Sequence, residues 1–126
     1  MSCFLGIEDD EFIRGRVPMT KQEIRIMTLA KAHIAPEAVV LDIGAGTGSL
    51  SIEAARQASR GHVYALEKNP EGVQLIKQNQ AKFGVSNLTV LQAEAPDGIG
   101  GLPVCDAVLI GGSGRRLPDI LEAADE

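Results

Sequence analysis

At 126 residues, 44% hydrophobic and 23% charged, this chain has the size and balance of a single globular domain. No apolar run approaches the roughly 20 residues a membrane helix needs. The formal charge of −5 and the 3% aromatic content, with no Trp, argue against nucleic acid or an anionic membrane as a partner.

Residues 1–19 show no clear periodicity and read as an N-terminal extension, with 20–126 as the domain itself. The start runs into an acidic cluster from Glu8 to Glu11 and lacks the basic-then-apolar layout of a signal peptide. Cys3 and Cys105 stand far apart with no Cys/His pairing, so no metal site and a reduced, cytoplasmic compartment are expected. Thr20 with Glu23 three residues on matches a capping box. Ile24, Met27 and Ala30, with Ile26, Leu29 and His33, predict a broad apolar helix face ending before Pro36, on which His33 reads as a satisfied structural residue. The cations Arg14, Arg16, Lys21, Arg25 and Lys31 face only Glu23 over this stretch, a pattern that by itself describes a solvated face.

A strand over 39–43 leads into Gly44-Ala45-Gly46-Thr47-Gly48 and then a helix ending at Arg60-Gly61, with the glycine as C-terminal stop. A second strand, 62–66, ends at Glu67. Asn69, Pro70 and Glu71 follow as N-cap, first helical position and dipole-matched acid of a helix that Gly84 ends. Strands over 88–93 and 106–110 come next, separated by a Gly/Pro-rich loop; a helix starts at 117–124. Strands alternating with helices imply an α/β, doubly wound, Rossmann-like parallel sheet with right-handed crossovers. A sheet of this type ordinarily continues past four strands, so the chain reads as truncated after strand four and the helix that follows.

The glycine spacing carries the chemistry. It is G-x-G-x-G, whereas the dinucleotide fingerprint needs its third glycine one place later, where Ser49 stands. Asp42, just before the loop, would repel a pyrophosphate but suits a ligand bearing an ammonium and a sulfonium, which favours S-adenosylmethionine over NAD. Glu67, 19 residues after Gly48, is placed to accept the ribose hydroxyls. Glu94 and Ala95 end strand three and border the same crevice, where they would meet the adenine. Thr20 would touch the cofactor if its helix lies over the crevice. Gly111 to Gly114 lack the Asn/Asp-Pro-Pro of methylases that act on base amino groups.

With these residues in place, the chain resembles class I S-adenosylmethionine-dependent methyltransferases, and more narrowly the decarboxylating precorrin-6Y (cobalt-precorrin) methyltransferases of cobalamin biosynthesis. The resemblance is carried by the stretch from Asp10 to Arg25, which contains Pro18-Met19-Thr20-Lys21, and by Asp42 to Gly48. Glu67-Lys68-Asn69-Pro70, Glu94-Ala95-Pro96 and Ile110-Gly111-Gly112-Ser113-Gly114 complete it. It implies C-methylation of a tetrapyrrole with loss of carbon dioxide from an acetate side chain, in a homo-oligomer, often a tetramer. It places Thr20, Gly44, Ala45, Gly46, Thr47, Gly48, Glu67 and Ala95 around the cofactor. Arg14, Arg16, Lys21, Arg115 and Arg116 would hold the substrate carboxylates, although Arg115 and Arg116 depart from the smaller residue such families carry after the turn. The competing readings are a methyltransferase acting on RNA or protein, an NAD-dependent oxidoreductase, and a non-catalytic cofactor-binding fragment.

Overall fold

The computed structural model describes residues 5–93 and 104–110. Helices and strands alternate as α1 (Gln22–Ala32), β1 (Val39–Ile43), α2 (Ser49–Gln57), β2 (His62–Leu66), α3 (Pro70–Phe83), β3 (Leu88–Leu91) and β4 (Ala107–Ile110). All strand pairs are parallel, in the order β3-β2-β1-β4. The chain winds outward from β1 to β3, then returns to place β4 on the other side of β1. This makes β1 the strand at which winding reverses, and in open α/β sheets the ligand crevice lies beyond the carboxyl ends of the strands at such a point. The glycine loop leaves β1 there.

Alternation along the strands sorts the two faces. Val40, Val63, Ala65, Leu88 and Leu109 join Ile52, Ala54, Ala55 and Ile76 in the larger core, on the helix side. Leu41, Ile43 and Leu66 point the other way, against Tyr64, Leu91, Val108 and Ile110. Ile52 and Ile76 have no exposed surface, and truncating such a side chain to Ala typically costs about 2–5 kcal/mol.

Several local expectations hold. The Asn69 Oδ1 accepts the Glu71 N–H at 2.9 Å, Pro70 opens α3, and Gly84 closes it in the left-handed conformation at φ 64°. Others need correction. Thr20 does not cap α1. Lys21 is the N-cap residue without a side-chain bond, and the free Gln22 N–H is taken at 2.9 Å by Asp9 Oδ1 from a short 3₁₀ turn, Asp9–Glu11. Helix α2 stops at Gln57, and its last carbonyls are met by a remote amide: Asn87 Nδ2 donates to Ala55 and Ala58 at 2.9 and 2.7 Å. Gly61 serves close packing instead, since a Cβ there would lie 1.9 Å from the Ala38 carbonyl oxygen. The third strand ends at Leu91, two residues short of expectation, and the fourth starts at Ala107.

The broad apolar face of α1 is also absent. Arg25 and Leu29 are its buried residues, while Ile24 and Met27 are 52% and 56% exposed. Placing Arg25 inward rotates the neighbouring apolar residues outward. His33 likewise is an exposed C-cap at φ 50°, not a packed structural residue. Residues 5–19 lie against the unit and bury Ile7, Phe12 and Val17.

The inward Arg25 accounts for that packing. Its Nε meets Glu53 Oε2 at 2.7 Å; its Nη1 reaches Asp9 Oδ1 at 2.8 Å and the Thr20 carbonyl at 2.6 Å; its Nη2 donates to the Ile7 carbonyl. The guanidinium also lies 4.9 Å from the Phe12 ring centroid. Glu53, equally buried, accepts the Gly6 N–H at 2.6 Å. A buried charge is tolerated only when paired and hydrogen-bonded, and this pair is bonded on all sides. It ties the N-terminal segment, α1 and α2 together.

Candidate functional site

Above the carboxyl end of β1 the loop glycines Gly44, Gly46 and Gly48 all take positive φ, at 70°, 61° and 86°. An L side chain is strained there. The Gly44 and Ala45 N–H groups donate to the Leu66 carbonyl at 2.9 and 3.0 Å, which holds the loop across to β2. Gly46 is also pressed by the backbone of residues 11–18: a Cβ would lie 2.7 Å from the Pro18 carbonyl oxygen.

Glu67 meets this loop directly. Its Oε1 accepts the Gly46 N–H at 2.7 Å and its Oε2 the Asn69 N–H at 3.0 Å, with 7% of the residue exposed. Each carboxylate oxygen keeps a further lone pair for another donor. Thr20 stands beside the loop through its backbone, its carbonyl accepting from Ser49 Oγ at 3.3 Å as well as from Arg25.

Asp42 lies beneath the loop rather than in an open crevice. It is fully buried and one oxygen, Oδ2, accepts the Ser51 hydroxyl, whereas Oδ1 has no partner; the same is true of the buried Thr47 Oγ1. Burial above all pushes the Asp42 pKa from its ordinary 3.8 to about 7; the Ser51 bond pulls it down and the charge of Glu67 pushes it up. Orphaned buried polar atoms are rare in folded proteins and call for an explanation. Two of them at one glycine loop, one in it and one beneath it, with an acceptor carboxylate beside it, form a donor and acceptor set that fits a nucleoside bearing a cationic tail.

Arg14, Arg16 and Lys21 are exposed on the segment that borders the loop. Arg25, counted with them from sequence, is no free cation. Glu94, Ala95, Arg115, Arg116, the turn from Gly111 to Gly114 and the helix expected at 117–124 lie outside the described residues. Sequence reasoning missed Asn79, a fully buried amide of α3 that bonds the Ile13 backbone and the Thr47 carbonyl. Its one sequence signal is a short polar residue in mid-helix, where such residues are unfavourable.

A cleft of 270 Å³ lies at the opposite end of the sheet, between Ala32–Ala38 and Asp106–Ala107. Its acids are in use, Glu37 by Arg60 and Asp106 by the Val39 N–H. Among the described residues no group of His, Cys, Asp and Glu is placed to hold a metal ion, and no helix is long and apolar enough to cross a membrane.

The parallel β3-β2-β1-β4 sheet, the glycine loop after β1 and the acid ending β2 define a class I methyltransferase fold. Within that class the chain belongs to the precorrin methyltransferase domain family, whose model matches residues 11–126. It is 42% identical over 124 residues to a probable cobalt-precorrin-6B C(15)-methyltransferase (decarboxylating) of Sulfurisphaera tokodaii, covering 96% of this chain and 64% of that protein. To the cobalt-precorrin-6B C(15)-methyltransferase (decarboxylating) of Salmonella typhimurium it is 41% identical over 119 residues, 94% of this chain and 61% of the relative. A crystal structure of precorrin-6y C5,15-methyltransferase from Geobacter metallireducens superposes with a TM-score of 0.89 at 45% identity, covering 96% of this chain and 64% of that one. The chain thus spans somewhat under two thirds of the length of these relatives.

Proposed function

We propose that this chain is the cofactor-binding part of an S-adenosylmethionine-dependent methyltransferase that methylates a carbon of a precorrin tetrapyrrole and releases carbon dioxide from an acetate side chain, which stays on the ring as a methyl group. The observation that carries the reading is Glu67 joined to Gly46 across a loop of three left-handed glycines, in a chain of the precorrin methyltransferase domain family. When bound, the cofactor supplies an electrophilic methyl group on a sulfonium. The chain's own part is to hold and align. Glu67 would accept the ribose hydroxyls with its remaining lone pairs, and the orphaned Asp42 Oδ1 and Thr47 Oγ1 would find partners in the cofactor's polar tail. Glu94 and Ala95 would border the adenine.

Transfer of this kind is an in-line displacement that depends on alignment, so no general base is assigned. Arg14, Arg16 and Lys21, with Arg115 and Arg116, would meet the carboxylates of the macrocycle. A cytoplasmic, homo-oligomeric setting, with a tetramer favoured, belongs to the same proposal.

The test uses the full-length enzyme with a labelled methyl donor and offers a precorrin in one vessel, RNA or protein in another. Label in the tetrapyrrole together with released carbon dioxide is expected. Label in RNA or protein alone would replace the substrate assignment, and tighter binding of NAD than of S-adenosylhomocysteine would replace the cofactor.

A further inference from the structure

Residues 11–18 lie as a strap along one side of α3. Glu71 Oε2 accepts the Arg16 N–H at 2.9 Å, a Cβ on Gly15 would lie 2.5 Å from the Glu71 carboxylate and 3.3 Å from Leu75, and Lys82 donates to the Glu11 carbonyl. Asn79, on the same stripe at a spacing of four residues, does more than hold the strap. Its Oδ1 accepts the Ile13 N–H at 2.7 Å, and its Nδ2 donates at 3.0 Å to both the Ile13 and the Thr47 carbonyls. Both amide hydrogens are therefore used, one on the strap and one on the glycine loop.

The Thr47 end of this bridge is the mechanically important one. Thr47 stands between two left-handed glycines, Gly46 and Gly48. Glycine on each side leaves the peptide with wide conformational freedom unless something holds it. The Thr47 hydroxyl is buried without a partner and anchors nothing. The flanking N–H groups are held within the sheet end, Gly46 by Glu67 and Gly48 by the Ala45 carbonyl; the Asn79 bond holds the Thr47 carbonyl and is the one that reaches the strap, whose Pro18 carbonyl also presses on Gly46.

We propose that Asn79 is a positioning residue for the methyl donor: by tying the Thr47 carbonyl to the strap at Ile13, it makes the ligand-ready shape of the glycine loop and the docking of residues 11–18 one state. This rests on the methyl-donor reading above. Asn79 acts through Thr47 and Ile13 and touches no reacting group. The strap also carries Arg14 and Arg16, so donor binding at the loop further steadies the backbone that bears these two exposed cations. Occupancy at one position is thereby reported at the other.

The test compares Asn79→Ala with Asn87→Ala in the full-length protein. Asn87 is a matched control, an amide that also donates to two backbone carbonyls, but at the far end of α2. Both variants should lower Tm, and Asn79→Ala alone should weaken S-adenosylhomocysteine binding tenfold or more by calorimetry. In the unaltered protein, hydrogen exchange should slow at residues 12–16 together with 44–48 when S-adenosylhomocysteine binds. This measurement decides the matter even if Asn79→Ala does not fold. Equal affinities in the two variants, or protection confined to 44–48, would remove the role of Asn79 and leave the cofactor assignment standing. No binding of S-adenosylhomocysteine to the unaltered full-length protein would overturn that assignment and this proposal together.

Discussion

Two buried carboxylates separate two kinds of polar interior in this protein. Glu53 has both oxygens engaged, by Arg25 and by the Gly6 N–H, and its guanidinium partner is in turn held by Asp9 and two carbonyls. Asp42, eleven residues earlier and on the same helix-facing side of the sheet, has one oxygen bonded to Ser51 and the other bonded to nothing. The first cluster is closed and fastens the N-terminal segment to two helices. The second lies under the glycine loop with acceptor capacity to spare, beside Thr47 in the same condition. Buried polar groups normally find partners within the fold. Where a cluster does, its role is architectural; where it does not, beside a loop that excludes side chains, a ligand is the natural complement.

The contrast is sharpest if one partner is deleted. Glu53→Ala takes from the buried Arg25 one of its two carboxylate partners and leaves the Gly6 N–H unpaired; deleting one partner of a buried pair costs at most about 3–5 kcal/mol. Chemical denaturation of the full-length variant should register that loss; a change below about 1 kcal/mol would mean that the cluster is not closed in solution.

Asp42 should show its incompleteness as a pH dependence. Its pKa is raised on folding, from 3.8 to about 7, so the folded state holds a proton that the unfolded chain releases near pH 4. The stability this contributes is complete below about pH 4 and is lost as pH rises through about 7. A displacement of roughly three units corresponds to at most about 4 kcal/mol. Asp42→Asn should flatten the unfolding free energy between pH 4 and 7 relative to the parent, measured without cofactor. An unchanged slope would place the titration elsewhere.

Glu67→Ala probes the ligand side of the comparison. Loss of two hydrogen bonds to a charged acceptor should weaken S-adenosylhomocysteine by about 2–4 kcal/mol in calorimetry, and equal affinity would take Glu67 out of the ribose site. The smallest effect belongs to the exposed pair Arg60–Glu37, with side chains 69% and 64% exposed. Glu37→Ala should change stability by about 0–1 kcal/mol, and a larger loss would show that the contrast between buried and solvated charge has been overdrawn.

Much of this was legible along the chain because it is written in short-range chemistry. The alternation of apolar runs, the glycines at 44, 46 and 48, and the Asn69-Pro70 start with its Gly84 stop are each governed by residues within a few positions of one another. Glu67 was legible by its spacing from the loop, which a strand and a helix of ordinary length determine. The misreadings share one cause. A capping box at Thr20 is a local pattern, yet the donor at Gln22 is met by Asp9, thirteen residues away. Gly61 has the local look of a helix stop, yet the end of α2 is met by Asn87. Arg25 looked like one more solvated cation because its counter-charge sits twenty-eight residues on, in another helix.

By itself, then, the sequence determined the order and type of the helices and strands among the described residues, the left-handed turns of the glycine loop and the acid that faces it, since backbone sterics and period act over a turn or a strand. Tertiary structure alone decided which charges go inside, which caps are supplied from afar, and that Asn79 joins strap to loop. These outcomes depend on hydrogen-bond partners brought together from distant positions, and burial, which makes an unpaired partner costly, exists only once the chain has closed on itself.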